Sequence, residues 1–201
     1  LKYSNKGSII KYDSKIYGVQ EQIKFPYRKI RNISKSVLHI PHYNIPLLYK
    51  GKMVTTIHDI THIVLPEFLP NKMAYFYAKL MIKIALLKSN HIITDSQNTK
   101  KDLIRYFKAN EHKITVINCG VESMFYRKDK YEFDYLYKKY SIPKNKKIIL
   151  YVGNKKPHKN LERLLIAYNR LKMKEQSVIL FTGKGFGNYT ALEKLAKNLN
   201  I

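Results

Sequence analysis

"KIILYVGNKKPHKNLERLLIAY", residues 147–168, has the order of an apolar strand, a glycine and then a helix. The turn between strand and helix carries Lys155, Lys156, His158 and Lys159. A helix N-terminus already bears partial positive charge, so cations in its first turn are mildly unfavourable unless an anion sits there. Backbone N–H groups exposed after Gly153 and Asn154 make such a turn a general anion site. Pro157 pre-sets a helical φ at the expected first helical position, and Lys159 can reach back over the helix end. The spacing is neither G-x-x-x-x-G-K-[ST] nor G-x-G-x-x-G. "TGKGFGN" (182–188) repeats the logic after the next strand, with Lys184 between glycines. Two neighbouring strand ends of this kind suit a ligand with two phosphates. The plain alternative is a solvated lysine-rich turn in a lysine-rich chain.

Outward from this stretch, short β-rich runs alternate with helix-length amphipathic segments. Strands are expected at 8–12, 36–40, 52–58, 91–95 and 113–118, with helices near 20–33, 71–88 and after Ser96, which can cap the helix that follows it. Nearly continuous apolar strands separated by helices imply a parallel sheet covered on both faces, a doubly wound α/β domain. Residues 119–133 break the pattern and read as a link. The expected domains are therefore 1–125 and 126–201. The second offers two parallel strands, 147–153 and 177–183, with helices near 134–142, 158–172 and 188–199, and so looks physically incomplete.

Composition bounds the function. The chain has 201 residues and 45% hydrophobic content, enough to bury a core. Against 14 acidic residues stand 38 Lys+Arg, a formal charge of +24, for which nucleic acid, an anionic membrane surface and coding bias compete as explanations. The charge is spread along the chain and not gathered into one arm, which weakens the nucleic-acid case. Cys119 is the only cysteine, so no internal disulfide can form and a reducing compartment fits. No signal-peptide pattern opens the sequence, and no apolar run reaches the roughly 18 residues of a membrane span. The longest, "MAYFYAKLMIKIALL" (73–87), is broken by Lys79 and Lys83, which with Lys72 form a narrow basic stripe. It reads as a core helix whose lysines snorkel to water, or as a basic amphipathic face on lipid. The first residue is Leu1, which points to a fragment or a processed chain.

Ligands of parallel α/β sheets bind beyond the carboxyl ends of the strands. In "TTIHDITH" (55–62), His58 and Asp59 follow a strand directly, where an imidazole can donate to a sugar hydroxyl or accept a proton. His58 and His62 form an H-x-x-x-H pair, but it leaves a strand and no third ligand lies at a fixed offset, so no metal is expected. "LHIPHYNIPLL" (38–48) gathers His39, His42, Tyr43 and Asn44, groups that hydrogen-bond hydroxyls and suit either carbohydrate or an ordinary proline-pinned loop.

"VTTIHDI", "HIITDSQNTKKDLI", "KITVINCGVESMF", "ILYVGNKKPHKNLERLLIAY" and "ILFTGKG" occur in the order and spacing of glycosyltransferase family 4, and the chain resembles that family over nearly its whole length. The resemblance implies a GT-B fold of two Rossmann-like parallel-sheet domains, both incomplete in this chain. It also implies retaining transfer from a nucleotide-sugar donor, usually without a metal ion or other cofactor. By position, His58 matches the family histidine beside the transferred sugar, and Lys159 matches the basic residue on the donor diphosphate. Asn154 stands where many members carry arginine, so Lys155 or Lys156 would supply the second charge. Gly153 and Lys184 fall on the diphosphate side, and His42, Asn44 and Asp59 on the acceptor or sugar side.

The implied partners are a nucleotide sugar and a glycan or lipid-linked acceptor, with peripheral contact to an anionic membrane and a cytoplasmic location at its inner face. No nucleic acid is expected. The family's N-terminal glycine-rich loop and C-terminal paired glutamates are missing from these residues, so the fragment alone is expected to be inactive. The rival readings are a basic nucleic-acid-binding module using the 17 tyrosines, and an inactive remnant.

Overall fold

A computed structural model describes residues 14, 19–31, 36–125, 134–172, 174–183 and 190–201. The strand expected at 8–12 and Lys184 with the rest of its loop lie outside the described residues. The chain divides into two compact units, Leu1–Val121 and Glu122–Ile201, and the division falls within the 119–133 segment.

The first unit opens with two short helices, α1 (Val19–Lys24) and α2 (Tyr27–Arg31), where the sequence pattern reads as one helix. Pro26 separates them, since the residue before a proline is pushed out of the helical region. The strands β1 (Leu38–Ile40), β2 (Met53–Thr56), β3 (His91–Thr94) and β4 (Ile114–Val116) form a parallel sheet in the order β1-β2-β3-β4. The register sets Ile40 against Thr55, Thr56 against Ile93 and Thr94 against Val116, so the four carboxyl ends fall along one edge. A doubly wound sheet needs a reversal of strand order; none occurs among the described strands.

Helices α3 (Thr61–Val64), α4 (Lys72–Lys88) and α5 (Gln97–Phe107) connect the strands. On α4 the buried residues Ala78, Met81, Ile82 and Ala85 follow the i, i+3, i+4, i+7 stripe of an amphipathic helix. They pack with Met53, Ile57, Ile92, Leu103 and Ile114 in one core. The buried Thr55 and Ser89 hydroxyls pair with each other at 2.7 Å. Three helix ends also have side-chain partners. Asn71 accepts from the Ala74 amide at 2.8 Å, Ser96 accepts from the Thr99 amide at 3.1 Å as its position before α5 predicts, and the Lys113 ammonium donates to the Leu86 and Leu87 carbonyls at the end of α4.

The second unit holds α6 (Asp134–Lys139), β5 (Lys147–Val152), α7 (Leu161–Asn169), β6 (Ser177–Thr182) and α8 (Thr190–Asn198). β5 and β6 pair in parallel from Lys147↔Ser177 to Val152↔Thr182. Leu161 and Leu165 of α7 and Leu192 of α8 pack on Tyr151, Ile179 and Phe181, which lie on one face of this pair. The opposite face of β5 presents Ile148, Leu150 and Val152, with Leu150 58% and Val152 70% exposed. A two-stranded sheet with one bare apolar face buries too little to offset its chain entropy. Residues 147–201 expressed alone should therefore melt without a cooperative transition, and a sharp calorimetric peak would contradict this.

Candidate functional site

The ladder of the first unit runs one residue past its strands: the Ile57 amide donates to Ile93 O at 2.8 Å and the Ile117 amide to Thr94 O at 2.9 Å. Pairing this close to the strand ends delivers His58 rigidly onto the carboxyl edge of the sheet. Its Nδ1 lies 2.6 Å from Asp95 Oδ2 and its Nε2 lies 3.1 Å from the Pro41 carbonyl oxygen. Its own carbonyl accepts from the Thr99 hydroxyl at 3.0 Å. Three strand ends and the first turn of α5 thus converge on one residue, with Asp95 and Pro41 on its ring and Thr99 on its backbone. Both ring partners are acceptors, so a neutral ring serves one of them and a charged ring serves both. The His58 side chain is still 52% exposed, which leaves it open to a ligand.

Asp95 is the residue that the motif reading missed. It ends the "HIITD" strand, so the strand-end rule that singled out His58 applies to it equally. Its carboxylate also faces Cys119, an exposed thiol beyond β4, and holds that thiol's pKa up through its negative charge and a hydrogen bond.

The residues of β1 and of the loop after it divide by role. His39 Nε2 meets the Thr56 hydroxyl at 2.8 Å across the sheet, and Tyr43 is buried in the core. Asn44 is buried too: its amide nitrogen donates to Glu21 of α1 and its oxygen accepts from the Tyr77 hydroxyl of α4 at 2.7 Å. These bonds make Asn44 a brace between helices, with both ends of its amide engaged inside the protein. His42 is half-buried, and its Nδ1 accepts from the Asn44 amide at 3.0 Å, which places the proton of the neutral ring on Nε2. Asp59 Oδ1 accepts from the Thr61 amide at 2.9 Å and shapes the turn into α3.

Burial holds the His42 pKa below the ordinary imidazole value; Glu21 and Asp59 oppose it and His58 assists. Burial likewise lowers His62, with Asp59 opposing and His42 assisting, and its Nε2 is buried without a hydrogen-bond partner among the described residues. For Asp59, burial pushes the pKa up, but the Thr61 amide and hydroxyl and the His62 and His58 rings outweigh it, and the net shift is downward.

The signs give a pH prediction. Unfolded imidazoles titrate near about 6.5, and the folded His42 and His62 titrate lower. Below about pH 6.5 the unfolded chain therefore binds more protons than the folded one, and stability falls with pH. The Asp59 contribution, from a depressed carboxyl, is lost only at still lower pH. The Tm should drop between about pH 7.5 and about pH 5.5, and the variant His62→Gln should flatten that drop. Equal pH profiles for the two proteins would contradict the assignment.

In the second unit the strand-to-helix turn takes a shape of its own. The Gly153 amide donates to Thr182 O at 3.0 Å, and a β-carbon on Gly153 would lie 2.7 Å from the Tyr151 hydroxyl. That hydroxyl instead folds over the turn and donates to Asn154 O at 2.8 Å. Asn154 Oδ1 accepts from the Lys156 amide at 3.2 Å, so asparagine here builds an Asx turn. Pro157–Lys159 is a separate 3-10 turn, closed by Lys159 N–H to Lys156 O and Asn160 N–H to Pro157 O, both at 2.9 Å.

Asn160 is left-handed at φ 53° and ends that turn, so α7 starts at Leu161 and not near 158, with Pro157 outside it. Asparagine tolerates that conformation better than most residues. It gives α7 no side-chain cap, so its first-turn amides take no bond from that side chain. Lys156 and Lys159 are exposed in the turn that precedes the helix.

Known proteins match both units. The family model of Glycosyltransferase Family 4 fits residues 19–124, and that of Glycosyl transferases group 1 fits residues 133–201. O-antigen chain mannosyltransferase B of Escherichia coli is 26% identical over 144 residues, covering 72% of this chain and 37% of the relative. O-antigen chain mannosyltransferase RfbU of Salmonella typhimurium is 28% identical over 132 residues, covering 66% and 32%. The chain thus spans about a third of the length of these relatives. Among solved structures, Anabaena HepE in complex with UDP-glucose superposes with a TM-score of 0.66 at 15% identity, over 86% of this chain and 48% of HepE. That likeness establishes the GT-B fold expected from the sequence. With more than half of its residues under one family model, the chain belongs to glycosyltransferase family 4.

Proposed function

We propose that this chain is part of an enzyme that transfers a sugar from a nucleotide-sugar donor to a glycan, polysaccharide-precursor or lipid-linked acceptor, with retention at the anomeric carbon. The observation that carries the reading is the 153–160 turn, which carries the exposed Lys156 and Lys159 directly before the side-chain-uncapped N-terminus of α7. A nucleoside diphosphate gains negative charge as the glycosidic bond breaks. A cation and helix amides already in position favour that transition state over the ground state. His58, braced on three sides and still exposed, takes the role of hydrogen-bonding partner to the transferred sugar. Support comes from the HepE structures with UDP-glucose and UDP, and from the O-antigen mannosyltransferases. The nucleotide sugar is the substrate in this reading, and it needs no resident cofactor or metal. The enzyme would work at the inner face of a membrane.

The test sets nucleoside diphosphates against RNA. The Tm should rise with UDP or GDP and stay unchanged with the free nucleosides. Filter binding to single-stranded RNA should be weak and lack a steep salt dependence. Tight, salt-steep RNA binding with no response to either diphosphate would overturn the proposal in favour of a nucleic-acid module.

A further inference from the structure

Helix α4 is apolar on both sides. Its inner stripe fills the core, as described. On its outer side Met73, Phe76, Leu80 and Leu87 are each between 56% and 76% exposed. At about 100° per residue these four fall within roughly 60° of one another, and Lys72, Lys79 and Lys83 form an adjoining stripe. A surface helix ordinarily turns polar residues outward, and a contiguous exposed apolar patch marks an interaction site. The 17 residues of α4 include no acid, and none of the three lysines is in an ion pair among the described residues.

The C-terminal end of this face continues into a cavity of about 320 Å³ lined by Lys83, Leu87, Phe107, Lys108 and Lys113. Lys113 is anchored at 2.9 Å and 3.2 Å to the Leu86 and Leu87 carbonyls, so its charge is fixed at that end of the helix. Burial lowers its pKa. Apolar side chains beside lysines, in stripe and cavity alike, match one kind of partner: acyl chains under anionic headgroups. Nucleic acid would use the lysines and leave four apolar side chains against phosphate or water. The cavity also touches Ile92 and Ile114, near the amino ends of β3 and β4, whereas His58 sits at the carboxyl edge. A surface bound here leaves the histidine site open. Among the described residues no helix is long and apolar enough to cross a membrane, so α4 would lie on it.

We propose that the outer face of α4 docks on an anionic lipid bilayer, with Met73, Phe76, Leu80 and Leu87 entering the acyl boundary and Lys72, Lys79 and Lys83 meeting headgroup phosphates. The proposal deepens the membrane part of the function above, yet it is read without any sugar, so each can fail while the other stands.

The chain contains no tryptophan, so Phe76→Trp creates a single reporter at an exposed position. Its emission should shift to the blue with vesicles of phosphatidylglycerol in phosphatidylcholine, and brominated acyl chains should quench it. Pure phosphatidylcholine vesicles should have no effect. The triple reversal Lys72→Glu, Lys79→Glu, Lys83→Glu in the reporter protein should weaken partitioning by at least about 10²-fold, since each lysine near such a surface contributes about fivefold. Leu80→Trp provides a second reporter should the first variant not fold. No shift with the anionic vesicles, a shift indifferent to the lysine reversal, or a response to polyuridylate in place of vesicles would overturn the proposal.

Discussion

Replacing Lys159 by alanine is expected to lower kcat/KM about 10²-fold in a protein of the relatives' full length that carries this sequence, a loss like that of one oxyanion donor. Lys159 closes the 3-10 turn with its backbone, which alanine retains, and its side chain is exposed, so the fold should not change. The deficit should appear mainly in kcat, because the charge on the leaving diphosphate grows as the bond breaks. Lys159→Arg should restore part of the rate by keeping the charge. The neighbouring Asn154 predicts a contrast: its side chain builds the turn, so Asn154→Ala should act through turn stability and raise KM. Full kcat/KM in Lys159→Ala would remove the lysine from the mechanism.

The second large effect is expected at His58. His58→Ala should cost about 10²- to 10³-fold in kcat, the range for losing one positioned donor or acid–base group, with little change in Tm since the ring is half exposed. Asp95→Asn should cost less and shift the pH dependence of kcat. It keeps a hydrogen-bonding group 2.6 Å from Nδ1 but removes the negative charge beside the ring. A positioning role for Asp95 predicts this shift, whereas a merely structural role would lower Tm without moving the pH profile. Wild-type kcat in His58→Ala would refute the assignment.

Much of this architecture is legible in the sequence because it is local. The apolar runs at 52–58 and 91–95 mark β2 and β3, Ser96 stands where a cap must, and the spacing of Ala78, Met81, Ile82 and Ala85 commits one side of α4 to the core. Partner choice across loops was not legible. His58 and Asp95 are 37 positions apart, as are Met53 and Asn90, and only the sheet register brings each pair together. Asn44 reads as a sugar-binding amide by residue type, but burial against Glu21 and Tyr77 gives it a structural task. The break at Asn160 escaped for another reason: a single left-handed residue within "PHKNLERLL" leaves the apolar pattern intact while displacing the helix start by three positions, from 158 to 161.

The turn after Val152 is the centre of the account, and its most direct test is calorimetric titration of a nucleoside diphosphate into a protein of the relatives' length that carries this sequence and into its Lys159→Ala variant. A charge-assisted hydrogen bond from Lys159 to the diphosphate predicts binding to the first and an affinity lower by about 10- to 10²-fold in the second. Equal affinities in the two proteins would contradict it.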